Sequence, residues 1–97
     1  MASNLQARGK VAEARPHFEK ALAIKLKAFG EAHLDTATGY HNLAMNLQAQ
    51  GKAAEALPLH EKALAICRKA LGEDHPHTAL SYNNLAGTLL ARIFHQK

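Results

Sequence analysis

Apolar side chains recur at helical intervals along most of this chain. Tyr40, Leu43, Ala44 and Leu47 fall at i, i+3, i+4 and i+7, which places them on one face of a helix. Gly51 interrupts that stripe and suits a helix C-terminal cap, where the backbone turns left-handed and a Cβ would clash. Ala56, His60, Ala63, Leu64 and Leu71 then form a second stripe that stops at Gly72. A second helix is therefore predicted from about Lys52 to about Leu71, roughly 30 Å long at 1.5 Å per residue. Together the two stripes predict a helical hairpin. The linker Gly72-Glu73-Asp74-His75-Pro76 reads as a stop followed by a start: Asp74 or His75 would cap the next helix, and Pro76 suits its first position, where a missing N–H costs nothing.

The pattern repeats at a shift of about 42 residues. Asn4-Leu5-Gln6-Ala7-Arg8-Gly9-Lys10 returns as Asn46-Leu47-Gln48-Ala49-Gln50-Gly51-Lys52, and Glu19-Lys20-Ala21-Leu22-Ala23-Ile24 returns as Glu61-Lys62-Ala63-Leu64-Ala65-Ile66. About 30 of the 55 overlapping positions are identical, among them Gly30/Gly72, His33/His75, Thr36/Thr78 and Tyr40/Tyr82. Such self-similarity marks a repeat architecture, in which each hairpin buries its apolar face against its neighbours. The expectation is all-α, a single repeat domain over 1–97: a truncated first unit (1–32), a second unit (33–74), and helix A of a third (75–97). In the first unit, Gly9 is expected to separate half of an A helix from the B helix. Pro16 and Pro58 are expected within the first turns of their B helices, where proline is tolerated. Ala14, Ala21, Ala56 and Ala63 leave room for neighbouring helices to approach closely.

The spacing Tyr40-x-x-Leu43-Ala44-x-x-Leu47-x-x-x-Gly51-x-Ala53-x-x-Ala56-x-x-x-His60-x-x-Ala63-Leu64 resembles the tetratricopeptide repeat signature. The first unit carries Leu5, Gly9, Val11, Ala14, Phe18, Ala21 and Leu22 in the same slots, and the third opens with Tyr82, Leu85, Ala86 and Leu89. The usual period is 34; the longer unit here is similar to the variant found in kinesin light chains and many bacterial repeat proteins. His60 stands where an aromatic residue is usual, which loosens packing there.

The resemblance implies a right-handed α-solenoid of about two and a third repeats and a non-catalytic scaffold that binds proteins or peptides in the concave groove of its A helices. Carried across, the groove positions are Thr38, His41, Asn42, Met45 and Gln48 in the second unit and Leu80, Asn83, Asn84 and Gly87 in the third, with Ser3 and Gln6 extending them. Asn42 and Asn84 sit where similar repeats hydrogen-bond a peptide backbone, a task that suits an amide because it both donates and accepts. The plainer reading leaves them as solvated groove residues. Lys27 and Lys69 could attract acidic peptides, but the helix dipole favours cations near a C-terminus in any case.

The third unit carries a second expectation. Ile93 and Phe94 replace Gly51 and Lys52, so the helix stop is missing and the helix should continue. Leu85, Leu89, Leu90, Ile93 and Phe94 then extend an apolar stripe wider than a lone helix in water should carry. Either the stripe packs back on helix B of the middle unit and leaves Ile93 and Phe94 frayed, or it meets another copy, as a two-fold helix pair or beside the truncated first hairpin of a second chain. The alternative function is thus a homo-oligomerising structural element.

Composition and charge narrow the remaining classes. Ala and Leu dominate, which favours helix. The net charge is +4, but Lys and Arg alternate with Glu instead of forming a block, so nucleic acid is not an expected partner. No apolar run approaches the roughly 20 residues that span a bilayer, and a cytoplasmic location, without membrane contact, is the expectation. Cys67 has no second cysteine to pair with, and its place in the helical pattern makes it a packing residue. The seven histidines are scattered apart from His75 and His77, short of the convergent set a metal needs. No nucleophile, phosphate loop or carboxylate pair suggests catalysis, and no cofactor is expected.

Overall fold

A computed structural model describes the backbone of residues 2–95 and the side chains of residues 9–94. The four helices run α1 (Ala2–Phe29), α2 (Leu34–Ala49), α3 (Ala53–Leu71) and α4 (Pro76–His95), and each packs against the next in chain order. No strand occurs among the described residues. The core is centred on α2 and α3: Tyr40, Leu43, Ala44 and Leu47 from one, Ala56, Ala63, Ile66 and Cys67 from the other, with Leu22 of α1 closing it. Ala44 and Ala56 lose all solvent contact. On the α1 side, a Cβ at Gly39 would stand 3.1 Å from Leu22 Cδ1, so the absence of a side chain there is what lets α1 and α2 approach.

The 42-residue period extends to the hydrogen bonds. Each linker is held by a threonine at the start of the following helix: Thr36 donates to the Gly30 carbonyl at 2.6 Å, and Thr78 to the Gly72 carbonyl at 2.7 Å. His33 Nδ1 accepts from the Asp35 amide and His75 Nδ1 from the His77 amide, both at 3.0 Å. Both histidines therefore cap helix starts, supplying one acceptor to otherwise unpaired first-turn N–H groups. Tyr40 donates to Glu31 at 3.0 Å and Tyr82 to Glu73 at 2.9 Å. Burial, and after it the bond to Glu31, raises the pKa of Tyr40; for Tyr82 the bond to Glu73 is the leading cause of the same direction.

The first unit departs from expectation. Gly51 adopts φ +81° and turns the chain between α2 and α3, and the Lys52 amide returns to the Leu47 carbonyl at 2.9 Å. Gly9 makes no such turn: α1 runs through it as one helix. Continuing the helix through Gly9 adds a backbone hydrogen bond per residue. Pro16 consequently lies deep inside α1 and not in a first turn, and Pro58 lies more than a turn into α3. Their lost i−4 partners are the carbonyls of Ala12 and Ala54, both exposed residues that water can serve. At the other end α4 continues past Ile93 and Phe94, as expected from the missing glycine.

Gly87 lies inside α4 with no atom within 4 Å of where its Cβ would stand. Gly87→Ala is therefore expected to stabilise the protein by about 0.5–1 kcal/mol, raising Tm by about 2–6 °C in thermal melts followed by circular dichroism.

Candidate functional site

Between the first turns of α2 and α4 lies an open cleft of about 430 Å³. Ala63, Cys67 and Leu71 of α3 form its floor. Leu34, Thr38 and His41 line the α2 wall, and Leu80, Ser81 and Asn84 the α4 wall, with His75 and His77 at one end. The geometry follows from the repeat: α2 and α4 are equivalent helices packed on the two sides of α3, and small residues on α3 leave a hollow between them.

The expected groove residues divide into three groups. Thr38, His41, Leu80 and Asn84 line the cleft. Asn42, Met45, Asn83 and Gly87 are exposed on the same helices outside it. Gln48 turns inward instead. Its side-chain oxygen is 3.2 Å from His60 Nε2 and 2.9 Å from the Thr88 hydroxyl, so the amide is taken up between α2, α3 and α4. Ser3 and Gln6 lie outside the described side chains.

Leu34, Asp35, Leu71, His75, His77 and Ser81 were not anticipated as part of the site. Leu34 and Leu80 are both exposed apolar residues in the opening turns of helices, a signal the sequence did carry.

Behind the cleft runs a polar chain across three helices. Asn84 Nδ2 donates to His41 Nδ1 at 3.3 Å, the His41 and His60 rings lie 5.8 Å apart, and His60 reaches Gln48. Since the Gln48 oxygen accepts, neutral His60 carries its proton on Nε2; since Asn84 donates, neutral His41 carries its own on Nε2. Burial lowers the pKa of His41; for His60 burial leads and the neighbouring His41 adds to it. His60 is 2% exposed, and no buried side-chain nitrogen or oxygen among the described residues lacks a partner.

Cys67 is buried and its sulfur accepts from the Ser81 hydroxyl at 3.5 Å, a packing role between α3 and α4. Among the described residues no group of three His, Cys, Asp or Glu side chains is placed to hold a metal ion, and no helix is long and apolar enough to cross a membrane.

On α4, Leu85 is half-buried against the body of the protein, whereas Leu89, Leu90, Ile93 and Phe94 are exposed, the last at 78%. α4 does pack back on α3, the B helix of the middle unit, and leaves Ile93 and Phe94 uncovered, but Leu89 and Leu90 stay exposed with them. The side of α4 that meets α3 presents Thr78, Ser81, Leu85 and Thr88, and its larger apolar residues point away.

Helices stacked in chain order at a 42-residue repeat, with the equivalent α2 and α4 flanking a shared cleft, make this an all-α helical-repeat solenoid. A profile of the tetratricopeptide repeat matches residues 1–47 and again residues 35–93, and the chain belongs to the tetratricopeptide repeat family, whose members mediate protein–protein interactions. No curated protein matches the chain.

Proposed function

We propose that the protein is a non-catalytic binding module that seats an extended peptide segment of a partner protein across α2 and α4. The observation that carries this reading is the cleft itself, an apolar floor between walls that offer an amide, an imidazole and hydroxyls. An aliphatic side chain of the partner fits between Leu34, Leu71 and Leu80, where it loses water without stranding a polar group. Asn84 keeps its carbonyl oxygen and second amide hydrogen for the peptide backbone, since its bond to His41 uses one donor. Asn42, Met45, Asn83 and Gly87, exposed beside the cleft, extend the track. The 42-residue unit supports placing the module with the kinesin-light-chain-like variant of the family. The reading is of a protein or peptide partner, with no nucleic acid, no membrane and a cytoplasmic setting.

Panning a random peptide library against the protein tests this reading. Selected peptides should carry an aliphatic anchor and shift the backbone amide resonances of Thr38, His41, Leu80 and Asn84. Asn84→Ala should weaken them about tenfold, the loss of one buried hydrogen bond. Leu80→Glu should abolish binding. Peptides that bind equally well to both variants, or shifts confined to α3 and the outer side of α4, would overturn it.

A further inference from the structure

We propose that the outer face of α4 docks α1 of a second copy of this chain, so that the two helices form a composite hairpin of the same kind as α2–α3.

Equivalent positions on α2 and α4 differ in one neighbour. Both helices pack on the helix before them, but only α2 is also covered by the helix that follows. Tyr40 and Leu47 are accordingly 4% and 3% exposed, while Tyr82 and Leu89 are 42% and 45% exposed. What covers α2 is α3, through Ala56, His60, Ala63 and Ile66. The residues 42 positions earlier are Ala14, Phe18, Ala21 and Ile24 of α1. That face is itself uncovered: Ala21 and Ile24 are exposed, and Ala14 and Phe18 are half-buried. Among the described residues, no helix covers the outer face of α4 as α3 covers α2, and none lies on the matching face of α1 as α2 lies on α3.

The positions at the centre of the contact match, in one case through a paired change. Ala44 and Ala56, both without solvent contact, become Ala86 and Ala14, so the close approach of the helices is kept. Gln48 and His60, a polar contact, become Leu90 and Phe18, an apolar one. Both members of the pair change together, and neither leaves a polar group unpaired.

Charge is complementary at the other end. Within the chain, Glu31, Lys62 and Lys69 border one hollow between α3 and the linker before α2, and Lys62 Nζ lies 5.7 Å over the Tyr40 ring. The counterparts across the proposed contact are Glu73 and Lys20 and Lys27; Glu73 already pairs with Arg68, and Asp74, in place of Ala32, supplies a further carboxylate opposite the two lysines. Lys20 stands where it would cover the Tyr82 ring, as Lys62 covers Tyr40.

A contact between two different faces does not close on itself after one step; it propagates head to tail. The cleft between α2 and α4 lies on the other side of α4 and stays open, so assembly and peptide binding are separable.

Sedimentation velocity and light scattering on the full chain, from about 1 µM to about 1 mM, test the proposal. Mass should rise with concentration beyond two chains. Leu89→Glu, which blocks α4, and Ala21→Glu, which blocks α1, should each remain monomeric, weakened at least about a hundredfold by an unpaired carboxylate at the contact. Mixed one to one, they should form a dimer and stop there, because each variant keeps the one face the other needs. Lys20→Glu/Lys27→Glu serves as a second block on α1, at positions exposed in the folded chain. A monomer throughout the range for the unaltered chain would overturn the proposal. So would Ala21→Glu and Lys20→Glu/Lys27→Glu assembling as the unaltered chain does, the result expected of a two-fold α4 pair.

Discussion

Leu47→Ala is expected to destabilise the protein by about 3 kcal/mol, whereas Leu89→Ala, the same change one repeat later, should cost the dilute monomer about 0.5 kcal/mol. The two leucines occupy equivalent positions on equivalent helices. Leu47 is 3% exposed and belongs to the core cluster that joins α2 to α3, so its truncation removes apolar contact and leaves a cavity that closely packed helices fill only in part. Leu89 is 45% exposed and has open solvent where α3 lies over Leu47. Against a total stability of about 5–15 kcal/mol for a small domain, the first loss shifts the unfolding midpoint far and the second barely moves it. Urea titration at low micromolar concentration measures both. Equal costs would mean that α4 is covered in the monomer. A Leu89 cost that grows with protein concentration is the mass-action signature of a covering partner.

How much of this was legible beforehand follows from which positions repeat. Tyr40 and Tyr82, Thr36 and Thr78, and His33 and His75 were visible as identical pairs, and each pair makes the same hydrogen bond in its own linker. Repetition shows that a position has a duty without showing what the duty is, and the tyrosine–glutamate bonds had no other signal. The continuity of α1 was not legible, because Gly9 looks like Gly51 in the repeat and only the backbone distinguishes them. Gln48 was misplaced for a related reason. Its partners are His60 and Thr88, and together with His41 all four stand where the repeat is broken: the counterparts are Leu90, Phe18, Asn46 and Asn83. These four departures from the period lie together in space, in the layer where α2, α3 and α4 meet around polar groups. Read jointly, the broken positions were the available clue to that layer; read one at a time, each looked like a surface substitution.

That layer gives the second large effect. His60→Ala should cost about 2–4 kcal/mol, since it opens a cavity at a 2% exposed position and takes one donor from the Gln48 oxygen, leaving Thr88 as its partner. His60→Phe restores the residue found at position 18 and fills the same space, and its cost should be smaller, about 1–2 kcal/mol. The two variants separate through pH. Folding lowers the pKa of both His41 and His60 below the ordinary 6.5. Above 6.5 both rings are neutral whether the chain is folded or not, and their contribution to stability is intact. As pH falls below 6.5 the unfolded chain takes up protons first, so stability declines until the folded-state values are passed. The structure gives the reason: a proton on His41 Nδ1 would face the Asn84 amide that now donates to it, and a charge on either ring would sit 5.8 Å from the other in a layer whose hydrogen-bonding partners, Asn84, Gln48 and Thr88, are all uncharged. Stability measured by urea titration at successive pH values should therefore begin to fall below 6.5, before carboxylate protonation near pH 4 adds its own loss. In His60→Phe the upper part of that decline should flatten, because one titrating ring and its repulsion on the other are both gone. An unchanged slope between pH 6.5 and 5 in His60→Phe would assign the acid sensitivity to groups other than His60.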